Sequence, residues 1–411
     1  MDQKRLFENC LNRVYFFLKL IGVGIDKDDR QRTFFQRLCG RRIYFLHFIQ
    51  LNLNLSGEVA WLINSLIFGA GTLEQYTHLL PGLTLGILGD LKTFFMIRYA
   101  HHVLDLIESF KSQYTNMIVS NETQSEILNK KLSFLEVTTR VIAFPYVFGV
   151  SMFAVGPVIV MISIYYTTGK VELILPFIVL YPFDSFKLPI YPIIYVAQIW
   201  SALVAVNFVY GPDCFYYTAC MFIHIQFDHL QHDVEQFIEK YRNGRTSHHQ
   251  SHYSEFVELL NRHRELIRCV DLLEIIYSKS TLFNFVSSSL IICVTGFNIM
   301  VIKDLPLAMA FTFFFVVGIF QICIFCYYGE ILIQSSSKVA DAIYNSKWYE
   351  CSVADMKDYL FILTRAQKPC KLTAYGFYVI SLNSFAKILS KSWSYFALLL
   401  TLYKEPQTPR Q

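Results

Sequence analysis

Seven runs of this chain, residues 42–64, 70–96, 133–166, 190–221, 281–302, 305–334 and 381–403, are apolar over the length a bilayer demands, some of them loosely. A hydrocarbon core takes about 20 mostly apolar residues per helix. Backbone groups inside it must be satisfied within the segment, which leaves the helix as the fold for such runs. The expected architecture is an all-α membrane protein with seven transmembrane helices. Composition agrees: 54% of residues are apolar and the mean hydropathy is +0.37, a sign that soluble domains rarely show. The 37 Phe and 26 Tyr suit interfacial belts and packed bundles. Before the last run, Pro369 and Gly376 in QKPCKLTAYG interrupt any helix continuing from 353–367.

Lysine and arginine divide the connections into two classes. Ten lie in the first 42 residues, five in 98–140, seven in 222–281 and six in 335–380. The alternate connections hold none in 65–69, two in 167–189 (Lys170 and Lys187) and one in 303–304 (Lys303). This bias, 28 to 3, assigns region 1–41 to the cytoplasm. After seven crossings in the domain 42–403, the short tail 404–411 is then extracellular, an orientation opposite to that of a G-protein-coupled receptor. Asn121-Glu122-Thr123 is a glycosylation sequon in a segment expected to be cytoplasmic, and the charge bias outweighs it. The N-terminal segment is too charged for a signal peptide and lacks a clean cleavage site.

No catalytic signature is visible: there is no GxSxG, HExxH, P-loop, DxD-like metal pair or Rossmann fingerprint. No enzyme and no cofactor is expected. In HIQFDHLQHD, His224, Asp228 and His232 share a helical face at i, i+4, i+8. With no third strong ligand, polar capping of a cytoplasmic helix is the expected role rather than metal binding. The ten cysteines are scattered, with none in the segments expected outside the cell, which argues against a structural disulfide. Cys323 and Cys326 make a CxxC inside an apolar helix, where packing is their ordinary role. The net charge of +4 is mild, and no nucleic-acid partner is expected.

Three constellations bear on function. Phe256, Leu259, His263, Leu266, Val270 and Leu273 recur at 3-4-3-4-3 spacing in the cytoplasmic piece 222–281, a narrow helical seam. It reads either as an intramolecular helical hairpin or as a subunit-assembly surface. The outer halves of the second, third, fourth and sixth runs combine aromatics with small or weakly polar residues: Gln75 and Tyr76; Phe148, Ser151 and Met152; Gln198 and Ser201; Phe311, Phe314 and Phe315. Such a mixture suits a pocket for a small apolar molecule, and equally ordinary packing between membrane helices. In the last run, Ser384, Lys387, Lys391, Ser394, Leu398 and Thr401 form one stripe. It loses polarity toward the outer end, where Leu398 and Leu402 bracket Thr401. Copies of this helix around an axis would make a pore with leucine constrictions that close by dewetting; within one subunit the stripe would pack against neighbours. Lys387 and Lys391 are expected to snorkel to the inner headgroups.

Three ordered motifs give these features a family context. LTAYGFYVISLNSFAKILSKSWSYFALLLTLYKE at the C-terminus, CYYGEILIQSSSKVADAIYNSKWYE at 326–350 and LPFIVLYPFDSFKLPIYPIIYVAQIW at 175–200 resemble the characteristic segments of insect odorant receptors. The resemblance covers essentially the whole chain and includes the N-inside, seven-helix topology. It implies a ligand-gated, non-selective cation channel of the plasma membrane, in olfactory sensory neuron dendrites. An odorant-binding subunit there assembles as a heterotetramer with a shared co-receptor, surrounded by membrane lipids.

The co-receptor carries a longer insert between the fourth and fifth helices and a glutamine where Thr401 stands here, so the resemblance favours the odorant-binding subunit. The sister gustatory receptors end on a TY…QF-type motif, which SYFALLLTL matches only in its Tyr. Residue by residue, the resemblance puts Leu398 and Leu402 at the hydrophobic gate and Thr401 at a polar pore position, with Ser394 on the same pore stripe. The pocket lies among the outer parts of helices two, three, four and six. Segment 256–273 and the short helix near 353–367 fall in the central anchor where subunits meet. A transporter would need paired half-helices in its two halves, and none is visible.

Overall fold

The computed structural model describes residues 3–24, 33, 36, 38, 40–69, 71–116, 122–242, 249–303 and 305–404. In chain order these form α1 (Gln3–Leu20), α2 (Arg42–Phe68), α3 (Leu73–Arg98), α4 (Ala100–Asn116), α5 (Glu122–Thr168), α6 (Tyr191–Arg242), α7 (His249–Val301), α8 (Leu305–Asn345) and α9 (Val353–Ala366). A two-stranded hairpin, β1 (Thr373–Ala374) and β2 (Tyr378–Val379), then leads into α10 (Leu382–Lys404).

The seven apolar runs fall on α2, α3, α5, α6, α7, α8 and α10. Among the described residues, five helices are long and apolar enough to cross a membrane by length and composition, within 75–98, 125–168, 191–242, 252–301 and 307–350. The two others are more polar, and in α2 three of the polar residues are committed to neighbours. Gln50 Nε2 donates to the Ala197 carbonyl at 3.1 Å, Asn52 Nδ2 to Asp90 Oδ2 at 2.9 Å, and Asn54 to the Ser201 hydroxyl. A polar side chain in lipid survives by pairing across helices.

With 52 and 53 residues, α6 and α7 run roughly 80 Å at 1.5 Å per residue, against a hydrocarbon core of about 30 Å. Both continue beyond the bilayer and pack there with α9 and the C-terminal end of α8. The centre of the molecule is α6, on which every residue from 208 to 223 is buried. Tyr216 stacks on Phe325 of α8 at 4.1 Å, and Tyr217 meets Tyr328 at 5.0 Å. Each such ring pair contributes about 0.5–1.5 kcal/mol beyond burial.

Prolines inside these helices leave carbonyls without their usual donor, and side chains of other helices supply two replacements. Pro81 frees the Thr77 carbonyl, which accepts from Asn298 Nδ2 of α7 at 3.0 Å. Pro212 frees the Phe208 carbonyl, which accepts from Thr93 Oγ1 of α3 at 3.2 Å.

Region 1–41 is more than a charged leader to the bundle. Its α1 buries Phe7, Cys10, Val14 and Leu18, and the turn after it buries Ile21, with Phe7 stacked 4.7 Å from Phe222 and Phe17 edge-on to Tyr210 at 4.6 Å. Asn121 of the sequon lies outside the described residues. The nine described cysteines, Cys323 and Cys326 among them, are all free.

Candidate functional site

A mostly apolar cavity of about 180 Å³ opens between α3, α5, α6 and α8. Small residues make the room: Gly82 on α3, Gly149 on α5, Ala202 and Ala205 on α6, and Gly318 on α8 all face it. Aromatic rings make the walls. Phe153 stands 5.5 Å from Phe314, Phe314 packs edge-on to Phe313 at 5.7 Å, and His78 lies edge-on to Phe311 at 5.4 Å. Pockets for small organic molecules share this composition of apolar walls with few polar groups. The polar groups here are Glu58, His78, Tyr146 and Gln321.

The connection between α5 and α6 closes one side of the cavity, contributing Phe177 and Ile178. Gln198 holds it down: its Oε1 accepts from the Phe177 amide at 3.0 Å, and its Nε2 donates to the Phe177 carbonyl at 3.3 Å and to the Tyr181 hydroxyl at 3.1 Å. Phe177 then stacks on Phe153 at 4.9 Å. On α2, Gly57 permits the approach. The Leu180 amide donates to its carbonyl at 3.1 Å, and a Cβ at Gly57 would lie 2.4 Å from Val179 Cγ1.

The polar floor leads into the bundle. Gln321 Nε2 donates to Asp213 Oδ2 at 3.1 Å, and Lys92 Nζ donates to Asp213 Oδ1 and Oδ2 at 2.7 and 2.9 Å. On the far part of α8, Gly329 meets the entry to α10: a Cβ there would lie 2.5 Å from the Ile380 carbonyl oxygen. Glu330 Oε2 also accepts from the Leu382 amide at 3.3 Å. One helix therefore spans from the cavity wall to the start of the last helix.

α10 packs on α7 and α8 by one face only. Ile388 and Ser392 are buried, and Ser392 shares a 3.0 Å hydrogen bond with Ser289. On the other face Lys387, Lys391, Ser394, Leu398 and Thr401 are exposed, Leu398 to 57%. Ser394 and Thr401 turn their hydroxyls back to carbonyls of their own helix, at 3.1 and 2.9 Å.

A sequence profile for the 7tm odorant receptors matches residues 76–392. The chain belongs to the odorant receptor family. Over 408 residues the receptor is 26% identical to putative odorant receptor 92a of Drosophila melanogaster, covering 98% of this chain and 97% of that one. It is 37% identical over 145 residues, 34% of each chain, to putative odorant receptor 85d of the same species. Its fold is similar to that of the olfactory receptor OR5 from Machilis hrabei, solved in complex with eugenol. The TM-score is 0.80 at 16% identity, over 98% of this chain and all of that one. It is a multi-pass membrane receptor and not an enzyme.

Of the ten residues expected around a ligand, Phe311 and Phe314 line the receptor's cavity and the others do not. On α5, Phe148, Ser151 and Met152 are exposed on the outer face while Gly149, Val150 and Phe153 line it; each residue turns the helix by about 100°, so neighbours in sequence face apart. Gln198 and Ser201 are buried but spent on the α5–α6 connection and on α2. Gln75 closes a capping box with Thr72, and Tyr76 packs 6.2 Å from Trp61. Phe315 turns toward Gly296 of α7. Sequence reasoning passed over Glu58, Gly82, Gly149 and Ala205. Only the polarity of Glu58 in an apolar run could have flagged one of them.

Packing within one chain does not account for the last-helix stripe, because most of it is left exposed. Its first member is an exception: Ser384 is buried and donates to the Val379 carbonyl at 2.6 Å. Lys391 does not reach away from the protein, since its ammonium bonds the Tyr378 hydroxyl and lies 5.0 Å from that ring. The Leu402 side chain lies outside the described residues.

The seam Phe256, Leu259, His263, Leu266, Val270 and Leu273 is buried inside the chain, so in this structure it forms the intramolecular hairpin. Phe256 lies 6.3 Å from both Phe237 of α6 and Tyr359 of α9, and His263 packs edge-on to Phe227 at 6.4 Å. Burial first, then the Arg365 charge, lowers the His263 pKa to about 4. His224, Asp228 and His232 do not converge as metal ligands. Asp228 bonds Lys131 of α5, and the His232 ring pairs with Gln236 at 2.8 Å. Among the described residues no group of three or more potential ligands forms. Nor do these residues cap an end, because α6 continues past them to Arg242.

Proposed function

We propose that the receptor is the odorant-binding subunit of a ligand-gated, non-selective cation channel, assembled as a heterotetramer with a shared co-receptor in the plasma membrane of the sensory dendrite. The carrying observation is the cavity among α3, α5, α6 and α8, walled by rings and closed by the α5–α6 connection. The 28-to-3 bias of basic residues supports a cytoplasmic N-terminus. Subunit contact is assigned to the inner end of α8, α9 and the turn between them, where Tyr344, Tyr349, Leu360 and Phe361 are 51–69% exposed away from the apolar runs. The buried seam beneath then acts as the stiffener of that surface.

A volatile organic molecule held in the cavity shifts the population only as far as it binds the open arrangement better. α8 carries the difference, since its cavity residues and Gly329 lie on one continuous helix. Displacing Gly329 pushes on Ile380 and turns α10. The exposed stripe then lines the pore, and withdrawal of Leu398 and Leu402 from the axis wets a constriction that was dry.

Expression in oocytes with and without an insect co-receptor tests this reading. Odorant-evoked cation current that needs the partner and persists in excised patches without nucleotide is the expected result. Leu398→Ala should add resting current; a resting current and odorant response equal to wild type would remove Leu398 from the gate.

A further inference from the structure

Among the described residues Glu58 is the one acidic side chain on the cavity wall, reaching it from α2. Its residue is 6% exposed, and Oε2 has no hydrogen-bond partner among the described residues. Three polar groups of this part of the bundle are committed elsewhere. Tyr181 donates to Asn54 Oδ1 at 3.2 Å while accepting from Gln198, and Gln321 donates to Asp213. Lys92 is taken up by the same Asp213. An ionisable group at membrane depth is costly to keep and marks a binding function by default. A buried carboxyl without a donor carries a desolvation penalty that a partner of opposite charge offsets.

We propose that the cavity takes small volatile amines, with the ligand nitrogen on Glu58 and its hydrocarbon part among Phe153, Phe311 and Phe314. This rests on the odorant-binding reading above. An ammonium supplies both the missing donor and the missing countercharge, in a charge-assisted bond about twice as strong as a neutral one. A free amine that takes the carboxyl proton arrives at the same pair. Ketones, esters and ethers bring acceptors only: they leave the carboxylate unsatisfied, and from the protonated acid they take no more than a neutral hydrogen bond.

The test is a panel of alkyl- and arylalkylamines, each paired with the alcohol and the ketone of the same skeleton, applied to cells expressing the receptor with a co-receptor. Amines should activate at concentrations at least ten-fold below their matched partners, and Glu58→Gln should erase that gap at unchanged surface labelling. If Glu58→Gln fails to reach the surface, Glu58→Asp, which draws the carboxyl back by one methylene, should narrow it. Amines no better than their partners, or a gap that survives both variants, overturns the proposal. Gly149→Phe, which fills the cavity, separates the two failures. Responses lost in Gly149→Phe but unranked by Glu58→Gln keep the cavity and reject the amine, whereas responses untouched by Gly149→Phe reject the cavity and the amine together.

Discussion

Lys92 of α3 donates to both carboxylate oxygens of Asp213 of α6, at 2.7 and 2.9 Å, with side chains 3% and 1% exposed. The pair lies below the cavity and is joined to it through Gln321 of α8. Removing one member leaves a buried charge without its partner, at a cost of about 3–5 kcal/mol. Lys92→Met or Asp213→Leu alone should therefore lower the melting temperature of the detergent-purified receptor sharply. The double variant should regain most of the loss. A double variant no more stable than either single one would show that the pair is not the unit that matters.

Gly57 and Val179 define how closely the α5–α6 connection can settle on α2. A methyl at Gly57 would meet Val179 Cγ1 at 2.4 Å, so Gly57→Ala should lift the segment carrying Phe177 and Ile178. The odorant concentration for half-maximal current should rise roughly ten-fold, the scale set by about 1.4 kcal/mol of lost binding. Adding Val179→Ala, which removes the clashing methyls, should restore sensitivity. Dose–response curves for the two variants settle the point.

The register of α5 gives a contrast between neighbours. Gly149 lines the cavity and Ser151 faces outward. Gly149→Phe should abolish odorant-evoked current at normal surface expression, and Ser151→Phe should leave it within about two-fold, as expected of a large apolar group facing lipid. Equal effects of the two would place the ligand elsewhere.

Acid should loosen the extension beyond the membrane. His263 is held neutral, with its pKa brought from 6.5 to about 4, and burial with the Lys131 and Lys338 charges takes His224 to about 3. Between pH 4 and 6.5 the unfolded chain binds more protons at these positions than the folded one, so stability rises with pH across that window. It is fully present above about pH 6.5 and declines on acidification. Melting curves at pH 7.5 and pH 5 should differ, and His263→Gln should shrink the difference. A melting temperature that climbs on acidification would contradict the assignment.

Helix existence was legible because the bilayer's demand is local. Twenty apolar residues in a row answer it wherever they lie, and the seven runs correspond to α2, α3, α5, α6, α7, α8 and α10. α1 repeats Phe7, Cys10, Val14 and Leu18 at three- and four-residue steps, but it is too short and too charged to answer the bilayer's demand, and it stands out only once packed on α6. The polar residues of α2, which weaken it as a membrane run, made sense only with Ser201, Ala197 and Asp90 beside them.

The face each helix turns inward was decided by tertiary structure. In α5 every position of Phe148–Phe153 is compatible with both lipid and protein, so periodicity carries no contrast there, and packing against α6 and α8 chose Gly149, Val150 and Phe153 for the cavity. α10 differs: its polar residues recur at helical spacing, and the stripe read from sequence is the face the folded chain leaves uncovered, apart from Ser384. Sequence by itself thus determined a helical membrane bundle and the stripe of its last helix. Tertiary structure determined which residues share the cavity, because that depends on distances between helices and on the about 100° turn per residue that separates neighbours in sequence.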